Sequence, residues 1–189
     1  MVARLLQIIA LALLAGSGAA LADPPAPVAF TVTPITVHDV APRLLAPHRG
    51  RALLVSAWAS WCAPCLEELP GLLKLKKKLA KRGVDVVFLN ADPPGTRAEA
   101  LAAVLRRRGI ALEHSFVVAQ ADPTPFLAAI DPAWNGAVPY HAIFRPDGTR
   151  SAGLVGARPL AEIELALLSA FPGTPTSATP ATPLSLPPP

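Results

Sequence analysis

The chain has 189 residues, a formal net charge of +4, 16% charged residues, 23 prolines and two cysteines. Setting aside its apolar start and proline-rich end leaves about 150 residues, enough for one domain with a sizeable core and too few for two. The charge excess is modest. Lys74, Lys77, Lys78 and Lys81 fall on one helix face opposite Leu72, Leu75 and Leu79, the pattern of a solvated surface, so nucleic-acid binding is not inferred.

In chain order, Arg4 precedes an apolar run over residues 5–15 and then small residues up to Ala20, Leu21 and Ala22. This reads as a secretory signal, residues 1–22, cleaved before Asp23. The run is shorter than the ~20 apolar residues of a spanning helix. Ser17 stands where a lipoprotein signal would need its lipid-bearing cysteine. The expected product is a soluble exported protein, with an uncleaved membrane anchor as the alternative. Residues 23–34 are rich in Pro and Ala and are expected to form a flexible segment. Residues 172–189 form a Pro/Thr-rich tail read as disordered, which leaves a domain over 35–171.

Within that domain strand-like and helix-like stretches alternate. Residues 35–37 suit a short edge strand, 39–46 a short helix, and 52–58 a buried strand leading to the cysteines. A helix over 62–82 should end at Gly83 and be kinked by Pro70, which lacks a donor for the preceding turn. A strand follows at 84–90. Thr96 and Glu99 have capping-box spacing, and that helix should close at Arg106 to Arg108 before Gly109. Residues 114–119 suit a strand, and Asp122-Pro123 opens a helix through Ile130. Strands over 140–145 and 150–156 flank Pro146-Asp147-Gly148-Thr149, a hairpin turn. Pro159 opens a last helix carrying Leu160, Ile163, Leu167 and Phe171. This order gives an α/β fold with a mixed sheet flanked by helices.

The two cysteines, Cys62 and Cys65, lie three apart where a strand meets a helix. That spacing puts both sulfurs within one helical turn, so a disulfide can open and close with little movement. A helix N-terminus favours the Cys62 thiolate as nucleophile, and Cys65 becomes the resolving thiol. The chemistry requires an accessible Cys62 sulfur. Three other readings compete. A structural disulfide closing so short a loop constrains the unfolded chain little. A zinc site needs two more ligands, and His38, His48, His114 and His141 lack ligand spacing, so no metal is expected. A peroxidase would use a single activated cysteine rather than a Trp-flanked pair.

The segment Trp58-Ala59-Ser60-Trp61-Cys62-Ala63-Pro64-Cys65-Leu66-Glu67-Glu68-Leu69-Pro70 resembles the signature of bacterial extracytoplasmic thioredoxin-like proteins, a group that includes membrane-tethered reductants of cytochrome c biogenesis. The resemblance implies a thioredoxin fold with an inserted strand and helix, placed at about 114–131. It also implies a cis-proline facing the cysteines, matched by Val138-Pro139, so that Pro139 borders the substrate groove and the Val138 backbone pairs with an extended substrate. Trp61 and Pro64 are then the apolar rim that receives substrate, while Trp58 belongs to the core. Cytoplasmic thioredoxins carry a buried acid six residues before the first cysteine. Ser56 stands there, and Glu68, three residues after Cys65, matches the carboxylate of exported relatives and is positioned to take the Cys65 proton.

By the same resemblance the chain is a periplasmic protein-disulfide reductase with no cofactor beyond its Cys62–Cys65 pair, working as a monomer on protein disulfides and recharged by a membrane electron-donor thiol protein. A dithiol oxidant and a non-catalytic binding module are the alternatives. The stretch Trp134-Asn135-Gly136-Ala137-Val138-Pro139 departs from the Gly-Val-x-Gly-x-Pro pattern of cytochrome-maturation specialists, so a dedicated apocytochrome role does not follow.

Overall fold

A computed structural model describes residues 29–171. The signal, the start of the N-terminal segment and the tail lie outside these residues. Six strands, β1 (Thr31–Ile35), β2 (Ala52–Trp58), β3 (Val84–Asn90), β4 (His114–Val118), β5 (Tyr140–Phe144) and β6 (Arg150–Val155), form one sheet in the order β1-β4-β3-β2-β5-β6. The first four are mutually parallel, and β5 and β6 run antiparallel to their neighbours. Four helices, α1 (Ala63–Leu79), α2 (Ala98–Arg107), α3 (Thr124–Ile130) and α4 (Leu160–Ser169), complete the sandwich.

Residues of β2 are all buried, as a central strand covered on both faces must be. Its alternate side chains divide the core. Ala52, Leu54 and Trp58 meet Leu69, Leu72 and Leu75 of α1, with Leu101 and Leu105 of α2 and Ile163 and Leu167 of α4 on the same face. Leu53, Val55 and Ala57 meet Phe126 and Ile130 of α3, and Val40 and Leu44 from the helical turns between Val37 and His48. Each fully buried Leu contributes roughly 1.5–3 kcal/mol relative to exposure, so α1 is held by packing more than by intrinsic propensity. Trp58 is core, its indole N–H donating to Ser115 Oγ at 3.1 Å.

The helix α1 starts where Ala63 and Pro64 occupy its first turn, a place where a missing N–H costs nothing. It continues through Pro70 to Leu79, and a short 3-10 turn then carries the chain to Gly83, whose φ of 79° is a left-handed conformation suited to glycine. Gly71 faces Leu160 of α4, where a Cβ would make an ordinary van der Waals contact at 3.4 Å.

Several expectations need correction. The flexible segment was drawn through Pro34, but residues 31–34 belong to β1, which runs Thr31–Ile35 rather than over 35–37. β-branched Thr31, Val32 and Thr33 favour the strand, and Pro34 fits because it lies at the sheet edge. Thr31 N–H donates inward to Glu113 O at 2.9 Å, so Thr33 and Ile35 also face β4 while Pro34 turns its donorless nitrogen outward. The helix expected over 39–46 is a series of short helical turns from Val37 to His48. Thr96 does not cap α2; Arg97 stands at the N-cap and the Thr96 hydroxyl donates to Pro93 O at 2.7 Å.

The inserted strand and helix correspond to β4 and α3, with β4 between β1 and β3. The hairpin β5–β6 is present, with a register irregularity at Ile143/Phe144. Among the described residues no helix is long and apolar enough to cross a membrane.

Candidate active site

The cysteines sit where β2 hands the chain to α1. Cys62 is the N-cap residue, and its Sγ accepts from the Cys65 N–H at 3.3 Å. The two sulfurs are joined in a disulfide. The Cys65 N–H at the head of α1 therefore points at Sγ of Cys62, and this donor together with the helix dipole favours a thiolate once the bond is reduced.

Against the expectation of an accessible sulfur, Cys62 is only 5% exposed and Cys65 2%. What stands open is Trp61, 65% exposed, together with exposed Pro64. In this oxidised form the rim is presented to solvent and the disulfide lies behind it.

Asp92, in the loop after β3, fixes the approach to the cysteines. It is 7% exposed and accepts from Ser60 N–H at 2.7 Å, from Ser60 Oγ–H at 2.5 Å and from Asn90 Nδ2 at 2.7 Å. A cavity of about 510 Å³ opens alongside, bounded by Trp61, Pro93, Pro94, Leu127 and Trp134. Most of this lining is apolar, so it suits a hydrophobic side chain or segment.

The pairing Ala57↔Tyr140 brings the residues before β5 to the same end of the sheet as the cysteine loop. There the Val138–Pro139 peptide bond is cis and Pro139 is buried. Val138 packs against the cluster holding both cysteines. Among the described residues no backbone hydrogen bond engages Val138 N–H or C=O, whereas Pro139 O accepts from Gly156 N–H at 2.9 Å. Tyr140, next in line, stacks on Trp134 with ring centroids 4.5 Å apart and donates its hydroxyl proton to Asp131. Burial, reinforced by the bond to Asp131 and that residue's charge, holds the Tyr140 hydroxyl well above the ordinary phenol range. Arg150 completes the group at 2.8 Å from Asp131.

Glu68 and Glu67 separate as helix geometry requires: Glu67 is exposed, while the Glu68 side chain is 14% exposed. One Glu68 oxygen accepts from Arg158 N–H at 2.7 Å. The other lies 3.3 Å from Nε2 of His141 in β5, a fully buried side chain. Neither that oxygen nor either ring nitrogen of His141 completes a hydrogen bond. An unpaired buried polar group costs about 1–3 kcal/mol, and such groups tend to survive where they serve a function.

His141 and Asp92 are the site-lining residues that sequence reasoning did not single out. His141 carried a signal: it is a lone imidazole in an apolar strand, two residues after Pro139. Asp92 carried none that distinguishes it from an ordinary turn aspartate. Among the described residues no group of three or more His, Cys, Asp or Glu side chains is placed to hold a metal ion.

A six-stranded mixed sheet, a cysteine pair capping its central helix and a cis-proline at the same edge define a thioredoxin-type fold. A family model described as Redoxin matches residues 25–140, more than half of the chain, and the chain belongs to the Redoxin family. It is similar to the thiol-disulfide oxidoreductase ResA of Geobacillus kaustophilus (strain HTA426), 29% identical over 73 residues that cover 39% of this chain and 40% of that protein. It is also similar to the thioredoxin-like protein YneN of Bacillus subtilis (strain 168), 36% identical over 56 residues, 29% of this chain and 33% of that one. The matched stretch is thus well under half the length of either relative.

Solved structures share the fold over more of the chain. A thioredoxin-family thiol:disulfide interchange protein from Chlorobium tepidum TLS matches with a TM-score of 0.52 at 23% identity, covering 66% of this chain and 83% of that one. A secreted thiol-disulfide isomerase from Corynebacterium glutamicum matches with a TM-score of 0.54 at 16% identity, covering 67% and 74%.

Proposed function

We propose that the protein is an exported thiol-disulfide oxidoreductase that reduces protein disulfides through a mixed disulfide on Cys62. The observation that carries this reading is the Cys62–Cys65 pair at the start of α1, with Sγ of Cys62 capping the helix and accepting from the Cys65 N–H. In the reduced enzyme the Cys62 thiolate attacks a substrate disulfide, forming the mixed disulfide and releasing one substrate thiolate. Cys65 then gives its proton to Glu68 and attacks Sγ of Cys62, which regenerates the internal disulfide and releases the second substrate thiolate. The substrate gains two electrons and the enzyme loses two. A membrane-bound thiol donor restores the dithiol, and the site lies outside the cytoplasm, in the periplasm.

Binding follows from the same edge. The unengaged Val138 backbone is suited to pair with an extended substrate segment, and the cavity beside Trp61 accepts one of its apolar side chains. A link to cytochrome c maturation would make the substrate a haem-binding Cys pair in an extended peptide, which this edge fits.

The test uses the purified protein. Wild type should catalyse insulin reduction by dithiothreitol, Cys62→Ser should not, and Cys65→Ser should retain substrate as a stable mixed disulfide. Equilibration with glutathione sets the direction: a potential above about −150 mV rejects the reductant and leaves a dithiol oxidant. Absence of insulin reduction by wild type, with partner capture intact, would leave the binding module.

A further inference from the structure

We propose that His141 is a positioning residue for the resolving step, holding the Glu68 carboxylate where it takes the proton of Cys65. The proposal rests on the reading of Cys62 and Cys65 as a working dithiol and adds a residue to it. Three observations converge. His141 Nε2 is 3.3 Å from Glu68 Oε2, and both atoms are buried. The remaining Glu68 oxygen is fixed by Arg158 N–H at 2.7 Å, which leaves Oε2 facing the imidazole with no hydrogen bond yet made between them. Cys65 and Glu68 lie three residues apart on α1 and share a face of it.

The strand register gives His141 its place. It pairs with Ser56 of β2, on the side of the sheet that meets α1. Ser56 is small and its side chain does not titrate, so the imidazole from the neighbouring strand fills the layer beneath the cysteines. On the other side His141 pairs with Leu154 of β6. The charged or titratable groups facing the pair are therefore few. Cys65 stands on the same helix. Arg158 turns its guanidinium to Val155 O, at 3.2 and 3.1 Å, and to Glu162 at 3.4 Å. Neither β2 nor β6 brings a charge to His141.

During turnover His141 donates its Nε2 proton in a hydrogen bond to Glu68 Oε2, closing the contact that this oxidised form leaves unmade. The carboxylate accepts the Cys65 thiol proton as Cys65 attacks Sγ of Cys62; the substrate thiolate leaves and is protonated by water. Glu68 then returns its proton to solvent past the Arg158 loop. His141 transfers no proton itself; its N–H fixes which oxygen faces the thiol.

The closing reaction can be read alone, by loading Cys62 of the full chain with 5-thio-2-nitrobenzoate and following release of the chromophore as Cys65 attacks. His141→Phe keeps a ring and removes the donor. It should slow release about tenfold at pH 7 and move the half-maximal pH upward by about one unit, since a carboxylate stripped of its donor takes a proton more readily. His141→Gln restores a donor and should recover most of the rate. In a Cys65→Ser background, alkylation of Cys62 should proceed at the same rate with and without the His141→Phe substitution.

Equal release rates and equal pH profiles in wild type and His141→Phe overturn the proposal, as does a loss that His141→Gln fails to recover. Should His141→Phe not fold, nuclear magnetic resonance of the reduced wild type decides. A common midpoint for the His141 ring and the Glu68 carboxyl supports the pair, and independent midpoints refute it. A wild type that closes its disulfide normally but never reduces insulin would count against the proposed function and leave this assignment standing.

Discussion

Ser60 and Asp92 tie the cysteine loop to the end of β3 through two hydrogen bonds, one from the Ser60 N–H at 2.7 Å and one from its hydroxyl at 2.5 Å. The acceptor is almost buried and also receives Asn90 Nδ2. Asp92→Ala strands these donors and should cost about 2–3 kcal/mol, because bonds to charged acceptors are the stronger class. Urea unfolding measures the loss. Insulin reduction should fall severalfold at a temperature where the variant is folded, since Trp61 and Cys62 directly follow the tethered serine.

Trp61 should behave in the opposite way. At 65% exposure it contributes little to folding, so Trp61→Ala should leave the unfolding free energy within about 0.5 kcal/mol of wild type. Its loss should instead raise KM for a protein substrate. An unchanged KM would show that the cavity beside it is not used.

Gly153 has no room for a side chain. A Cβ there would meet the Tyr140 hydroxyl and would lie 2.5 Å from Asp131 Oδ2. Gly153→Ala must therefore push apart the buried Tyr140–Asp131 bond, at a cost of about 1–3 kcal/mol. The fall in melting temperature should be smaller when the same substitution is made with Tyr140→Phe already present, the remainder reflecting the contact with Asp131 Oδ2.

At the opposite end of the sheet, Asp85 receives His48 Nδ1 at 2.7 Å and Arg51 Nε at 2.8 Å. Burial acts to raise its pKa, but the hydrogen bonds and charges of His48 and Arg51 outweigh it and the carboxyl is held below its ordinary 3.8. Because the folded value is the lower one, the unfolded chain binds more protons in this window. Stability from this group is complete above the unfolded value near 3.8 and fades as pH falls through the folded one. Asp85→Asn should therefore flatten the acid limb of stability below pH ~4, measured by denaturant unfolding across that range.

Much of this architecture was legible in residue order because its signals are local. The Leu69, Leu72, Leu75 and Leu79 stripe, the turn at Pro146 to Thr149 and the proline at the head of α4 each fix an element within a few residues. The position of the cysteines between strand and helix followed from the same reading. What escaped depends on partners far along the chain. β1 hides behind Pro34 until β4, some eighty residues later, supplies its ladder. The helix cap at Thr96 failed because the helix begins one residue later, with Arg97 at the N-cap and Thr96 in the turn after Pro93. His141 stood out only as an imidazole in an apolar strand, without a partner, since its relation to Glu68 exists through the pairing of β5 with β2 and the packing of α1 on both.

The outward-facing nitrogen of Pro34 bears on how this molecule behaves in a crowded compartment. A strand from another copy docking along that rim would find the middle of its hydrogen-bonding row interrupted, with a pyrrolidine ring where an amide should be. This edge strand is thus built to refuse continuation, so the sheet resists growing from the β1 side even though most of that strand is β-prone.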